Sequence, residues 1–331
     1  MIITRTPFRI SFFGGGTDYP SWYRKNEGMV ISCAINKYCY ITARDLPPFF
    51  KYKYRIRYYK SEAVKEVSKI KHPSVRACLN KYEFERRPIE IVHNADLPAQ
   101  SGLGSSSAFT VSLCHALSGL QSKMLTKKQL ALRAIDIEQN ILNESVGSQD
   151  QTITAFGGLN TIIFQKNNNI QVEKIIMPKD QYDEFQDSML LIFTDMQRNA
   201  NKVSADQIKR IEKNISNNFL EKMMDVTQRV RKEIFLNSKF DIKNFGEALN
   251  IQWNLKKKLS KRISNKKIDD LYNFSMKNGA IGGKLLGAGN GGFFLLVVNK
   301  KNKKQLISKL KKYLIVPFRI DDTGSQIIYY K

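Results

Sequence analysis

Cysteine is scarce in this chain of 331 residues, and the four that occur, Cys33, Cys39, Cys78 and Cys114, show no C-x-x-C or paired spacing. That excludes an obvious zinc site or disulfide framework and suits a reducing compartment. Long apolar runs are also missing. No stretch approaches the ~18 apolar residues that cross a bilayer, and the opening MIITRTPFRISFFGGG has no basic region leading into a long apolar one. The expectation is a soluble, cytoplasmic chain without a membrane partner. No repeat of solenoid period and no low-complexity linker is present. Acidic residues are outnumbered, with 54 Lys and Arg against 30 Asp and Glu, a net charge of +24. Nucleic acid, phosphorylated metabolites and anionic membrane are the partners such a balance admits. The lysines are nevertheless scattered over helix-like stretches such as KKLSKRISNKKIDD, which reads more simply as a solvated surface.

What is present is enough apolar residue, 42% of the chain, to bury a substantial core. Strand-like runs dominate the first hundred or so residues: MIITRT, VISCAINKYCYITARD, KYKYRIRYY and IEIVHNAD. Helical periodicity follows from Ser105 to about Leu120 and from Thr126 to about Leu142, with Thr126 and Gln129 placed for a capping box. GGLNTIIF and MLLIFTD read as strands, residues 202–278 as largely helical, and the final stretch as strand, glycine loop, strand, helix, strand. The pattern predicts an α+β fold in two parts, 1–185 and 186–331.

Four stretches carry chemistry. In LPAQSGLGSSSAF, Gly102 and Gly104 remove side chains where backbone N–H groups approach an anion, and Ser105, Ser106 and Ser107 open a helix. A helix N-terminus with free N–H groups and hydroxyls suits phosphate; a cap needs only one serine. Neither this loop nor GAIGGKLL is a Walker A sequence, since Leu285 follows Lys284 where Ser or Thr belongs. LLGAGNGGFFLLVV contains a formal G-x-G-x-x-G at Gly287, Gly289 and Gly292, but it runs into a strand rather than a helix, which excludes a dinucleotide fingerprint. A tight hairpin and a loop closing over a ligand both fit it. In the third stretch, IEQNILNESVGSQDQ, Glu138 falls at the edge of the apolar stripe of Leu130, Ala134, Ile137 and Ile141, so it points either to solvent or into a cleft. Asp150 follows a glycine turn. The fourth, TPFRISFFGGGTDYP, sets Arg9 and Asp18 around three consecutive glycines, a costly run that suggests close approach to a ligand.

Taken in chain order, these stretches resemble the GHMP kinases, the small-molecule kinase superfamily that includes galactokinase, homoserine kinase and mevalonate kinase. LPAQSGLGSSSA resembles the family's phosphate loop, and KLLGAGNGGFF its C-terminal glycine-rich motif. The resemblance implies a ribosomal-protein-S5-like N-terminal domain, a ferredoxin-like C-terminal domain and an active site between them. It also implies ATP and Mg²⁺ as cofactors. Gly102, Leu103, Gly104, Ser105, Ser106 and Ser107 would then cradle the ATP phosphates, and Ser106 and Glu138 would hold the metal. Asp150 would take the proton of the attacking hydroxyl beside Arg9. Gly15, Gly16, Thr17, Asp18 and Tyr19 would bind the substrate, together with Gly287 and Gly289.

Within the family, PFRISFFGGGTDYP, AINKY and VGSQDQ are most similar to the D-glycero-D-manno-heptose 7-phosphate kinases, which phosphorylate the anomeric C1 hydroxyl of a sugar phosphate. Fucokinase domains share much of the pattern. A phosphorylated substrate needs a further basic subsite, and Arg198 in TDMQRNA is assigned to it, although Asp195 replaces the glycine of the related pattern. A homodimer is compatible with all of this. A rival reading comes from KYKYRIRYYK, whose Lys51, Lys53, Arg55 and Arg57 alternate with Tyr52, Tyr54, Ile56 and Tyr58. One basic strand face could bind nucleic acid, but a solvated face over a buried tyrosine face is the simpler reading and needs no ligand.

Overall fold

The first strand shows in its burial how the layers are arranged. In β1 (Ile2–Phe13), Ile2, Thr4 and Thr6 are buried while Ile3 and Arg5 are half-exposed, and from Pro7 onward every residue is buried. The alternating half belongs to a sheet covered on one face, and the continuous half runs beneath further structure on both. The computed structural model describes residues 1–195, 200–236 and 240–331. After β1 come β2 (Gly28–Asp45), β3 (Tyr54–Arg57), β4 (Ser61–Val64), β5 (Ile89–Ala95), β6 (Leu159–Phe164) and β7 (Ile170–Lys174). A second sheet holds β8 (Met189–Phe193), β9 (Ala280–Leu285), β10 (Phe293–Val298) and β11 (Leu314–Val316). The last strand, β12 (Gln326–Tyr330), returns to the first sheet and pairs with β1.

The first sheet runs β12-β1-β2-β5-β3-β4, and the long β2 bends to pair with β5 over Cys39–Asp45 and with β6 over Gly28–Cys33. The second runs β11-β8-β10-β9, every pair antiparallel. With helices between β8 and β9 and between β10 and β11, that is the ferredoxin-like order. We propose the division at 185/186 as the domain boundary, with β12 lent back to the first sheet.

Helices α1 (Pro20–Asn26), α2 (Pro73–Lys81), α3 (Ser105–Leu120), α4 (Lys127–Asp136), α5 (Gln149–Phe156) and α6 (Lys179–Asp187) accompany the first sheet. Those of the second part are α7 (Ala200–Glu212), α8 (Asn217–Val230), α9 (Ile242–Leu259), α10 (Lys266–Lys277) and α11 (Lys300–Lys309). An edge-to-face cluster joins the two parts: Phe245 of the second lies 5.7 Å from Phe12 and 5.4 Å from Phe13, and Phe185 of the first lies 5.6 Å from Phe12. The end of β1 is thereby packed against α6 and α9.

Helix α3 has the bounds that its periodicity predicts, and the Thr126–Gln129 capping box forms in both directions. The next helix departs from expectation. Regular α-helix ends at Asp136, and Ile137–Ile141 form a wider turn closed by Leu142 N–H donating to the Ile137 carbonyl at 2.9 Å. The basic stripe of KYKYRIRYYK is shorter than its alternation suggests, because β3 begins only at Tyr54, beyond Lys51 and Lys53. Arg55 is paired with Glu90 at 2.6 Å and lies over the Phe50 ring, while Tyr54 and Ile56 are buried. The four cysteines are buried and free. Among the described residues no helix is long and apolar enough to cross a membrane.

Candidate active site

A cavity of about 250 Å³ opens where the α3 N-terminus, the end of β1 and the β9–β10 loop meet. Its helix terminus has no side-chain cap. Gly104 occupies the N-cap position in the left-handed conformation (φ 74°), and none of the three serines caps the helix. Orphan N–H groups and the positive end of the helix dipole therefore face the cavity. The loop before the helix is sewn to both parts of the protein. Arg9 N–H donates to the Leu103 carbonyl at 2.9 Å, and Phe293 N–H donates to the Ser101 carbonyl at 3.0 Å. A Cβ at Gly292 would lie 2.1 Å from that same carbonyl oxygen, so the second glycine-rich loop needs glycine there to approach the first.

Arg9 and Asp150 form the centre of the wall. Arg9 Nε and Nη2 donate to the two carboxylate oxygens of Asp150 at 2.8 and 2.7 Å, and Nη1 donates to the Gly102 carbonyl at 2.6 Å. One guanidinium thus orients the carboxylate and ties it to the phosphate-type loop. Beside them Asp18 is almost wholly buried, accepting from Gly16 N–H at 2.9 Å. Burial raises its carboxyl above the ordinary range, and the nearby Asp150 charge adds to the rise. Gly147 makes this approach possible, since a Cβ there would sit 1.8 Å from Asp18 Oδ2.

Glu138 is not at a solvated edge. It is fully buried, its Oε2 accepting from the Ser107 hydroxyl at 2.9 Å and the Gln151 amide at 2.5 Å, while Oε1 has no hydrogen-bond partner among the described residues. Burial pushes its carboxyl up to about 7. The wide turn that starts one residue earlier and packing against α3 override the phase read from the stripe. A buried carboxylate oxygen without a partner suits a hard divalent cation, which takes one or two carboxylates together with phosphate oxygens and water. The residues fit Mg²⁺.

Most of the anticipated residues converge on this cavity. Gly102, Gly104, Ser105, Ser106 and Ser107 line it, as do Gly15, Gly16, Asp18, Tyr19 and Gly287. Four do not line it: Glu138, buried as described above, and three more. Leu103 is in the hydrophobic core, Thr17 donates its hydroxyl to the Gly14 carbonyl at 2.8 Å, and Gly289 is pressed against Ile263, 2.7 Å from Cβ position to Cα. Arg198 lies outside the described residues. Among the lining residues that were not anticipated are Ser11, Gln149, Lys256 and Lys284. Lys256 donates to the Leu285 and Gly287 carbonyls at 3.0 and 2.5 Å, and Lys284 to those of Ser11 and Phe12 at 2.9 and 2.8 Å. A lone lysine in the apolar strand AIGGKL was a readable sign for Lys284. Nothing in the run KKK distinguishes Lys256 from its neighbours.

Known proteins resemble this chain over nearly its whole length. The model of the GHMP kinases N terminal domain matches residues 68–158, and that of the GHMP kinases C terminal region matches 232–316. A D-glycero-alpha-D-manno-heptose 7-phosphate kinase of Campylobacter jejuni is 28% identical over 327 residues, covering 94% of this chain and 93% of the relative. A galactokinase of Pyrococcus furiosus is 25% identical over 343 residues, 95% and 94% of the two chains. In fold, the crystal structure of a D-glycero-D-manno-heptose 1-phosphate kinase from Bacteroides thetaiotaomicron superposes with a TM-score of 0.75 over the whole of both chains at 24% identity. With both family regions matched in order around an uncapped helix end and a bidentate Arg–Asp pair, the chain belongs to the GHMP kinase family and is a small-molecule kinase.

Proposed function

We propose that this protein transfers the γ-phosphoryl group of ATP to the anomeric C1 hydroxyl of D-glycero-D-manno-heptose 7-phosphate, giving the 1,7-bisphosphate. The observation that carries the reading is the bidentate Arg9–Asp150 pair set at the foot of the uncapped α3 helix. The helix N–H groups and the turns at Gly102 and Gly104 receive the ATP phosphates. Glu138 and Ser106 would hold Mg²⁺, which when bound would supply positive charge to neutralise the phosphates. Asp150 accepts the proton of the attacking hydroxyl, each of its oxygens keeping a free lone pair beyond the bond to Arg9. Arg9 fixes that carboxylate and supplies positive charge next to the reacting group. Asp18, held by the Gly16 and Gln149 N–H groups, takes a sugar hydroxyl, and Arg198 remains our assignment for the phosphate that the sugar already bears. We place the reaction in the cytoplasm, where ATP and reduced cysteines coexist.

The similarity to a galactokinase supports a second reading, transfer to an unphosphorylated sugar. Coupled ADP release with Mg-ATP against heptose 7-phosphate, mannose 6-phosphate, fucose, galactose and mevalonate decides between them. Turnover confined to heptose 7-phosphate supports the first reading, and turnover on free fucose or galactose replaces it with the second. A nucleic-acid role has less support, because Arg55 of the basic stripe is engaged by Glu90.

A further inference from the structure

We infer that Ser11, Gln149 and Lys284 form a polar recess, opened by Gly15, that receives one hydroxyl of the acceptor and selects for it. The inference rests on the kinase reading above and adds Ser11, Gln149 and Lys284 to Gly15, which the family resemblance already implies at the substrate. Ser11 and Gln149 are buried in the cavity wall, and both the Ser11 hydroxyl and Gln149 Oε1 lack a hydrogen-bond partner among the described residues. Buried polar groups are rarely left so, and two on residues of one cavity wall call for a polar occupant. Gly15 supplies the space. A Cβ built there would lie 3.5 Å from Ser11 Oγ and 3.6 Å from Gln149 Nε2, so any side chain at this position would stand against both residues, and glycine leaves that space open. Its backbone is not in the left-handed region, so the lack of a side chain matters here for space alone.

The chemistry of the wall suits a hydroxyl. Gln149 Oε1 only accepts, the Ser11 hydroxyl donates or accepts, and the Lys284 ammonium only donates. Lys284 gives two of its three N–H groups to the Ser11 and Phe12 carbonyls, and no carboxylate among the described residues lies within ion-pair distance of it. A hydroxyl satisfies a donor and an acceptor together. A methyl group or a hydrogen in its place leaves the buried groups unmet, and sites of this kind reject the analogue lacking the hydroxyl far more strongly than an apolar pocket rejects an extra methylene.

The test uses the full-length protein and the best accepted sugar of the panel above, together with its monodeoxy derivatives. Ser11→Ala should lower kcat/KM for the parent sugar about tenfold or more, and that loss should vanish on one deoxy derivative only. Gly15→Ala, which fills the recess without backbone strain, should raise the acceptor KM at least as much. Both variants should keep the wild-type Tm and a KM for ATP within about twofold, which a merely structural role would not predict. Equal losses across the whole deoxy series, or no loss in either variant, would overturn the inference and leave the kinase reading standing. Absence of wild-type turnover on every sugar would overturn both.

Discussion

A guanidinium that gives two parallel hydrogen bonds to one carboxylate cannot turn without breaking both, so Arg9 holds Asp150 in one orientation towards the cavity. Asp150→Asn keeps the shape but removes the proton acceptor. It should lower kcat by about 10²- to 10⁴-fold with ATP affinity unchanged, measured by single turnover and by calorimetry with ATP. Arg9 and Asp150 were both readable as candidates because each stands in a glycine-rich stretch, and the family resemblance joined them. Their contact closes over 141 residues of chain, a distance at which spacing says nothing. The hydrogen bond to Glu138 comes from a neighbour of the serine assigned to the metal. Ser107 donates to Glu138, whereas Ser106 is exposed at the cavity, because successive residues on a helix point about 100° apart.

Two adjacent helices show the contrast between an end built to bind and an end built only to stop. Helix α3 starts on Gly104 with its N–H groups uncapped, and helix α4 starts on Thr126 with a complete capping box. Thr126→Ala should cost about 1 kcal/mol in urea unfolding and leave both KM values untouched, since only stability depends on that cap. The start of each helix was legible, because caps and glycines act within one turn of chain. The shortness of β3 was not, since a strand ends where its partner ends, and its partner β5 lies more than thirty residues away.

At the level of the molecule, Lys284 is a tie between the two sheets, running from β9 to the carbonyls of β1. Burial and the neighbouring Arg9 push its ammonium down to about 7, from an ordinary 10.5. The folded protein then binds fewer protons than the unfolded chain between those two values. The penalty of burying the charge is full below pH 7 and is relieved as pH rises towards 10.5. Lys284→Met should lack this pH dependence. The wild-type Tm should gain on the variant as pH rises through that window, by thermal melts followed in circular dichroism; parallel Tm profiles would refute the assignment. The family, the phosphate-type loop and the helix starts were written in local chemistry: glycines where backbone must come close, serines at a helix mouth, a cap three residues from its partner. The burial of Glu138 and Lys284, the recess beside Gly15 and the return of β12 to β1 were decided only by the packed chain. Desolvation and empty space are made by residues far apart in sequence, and no short stretch contains them.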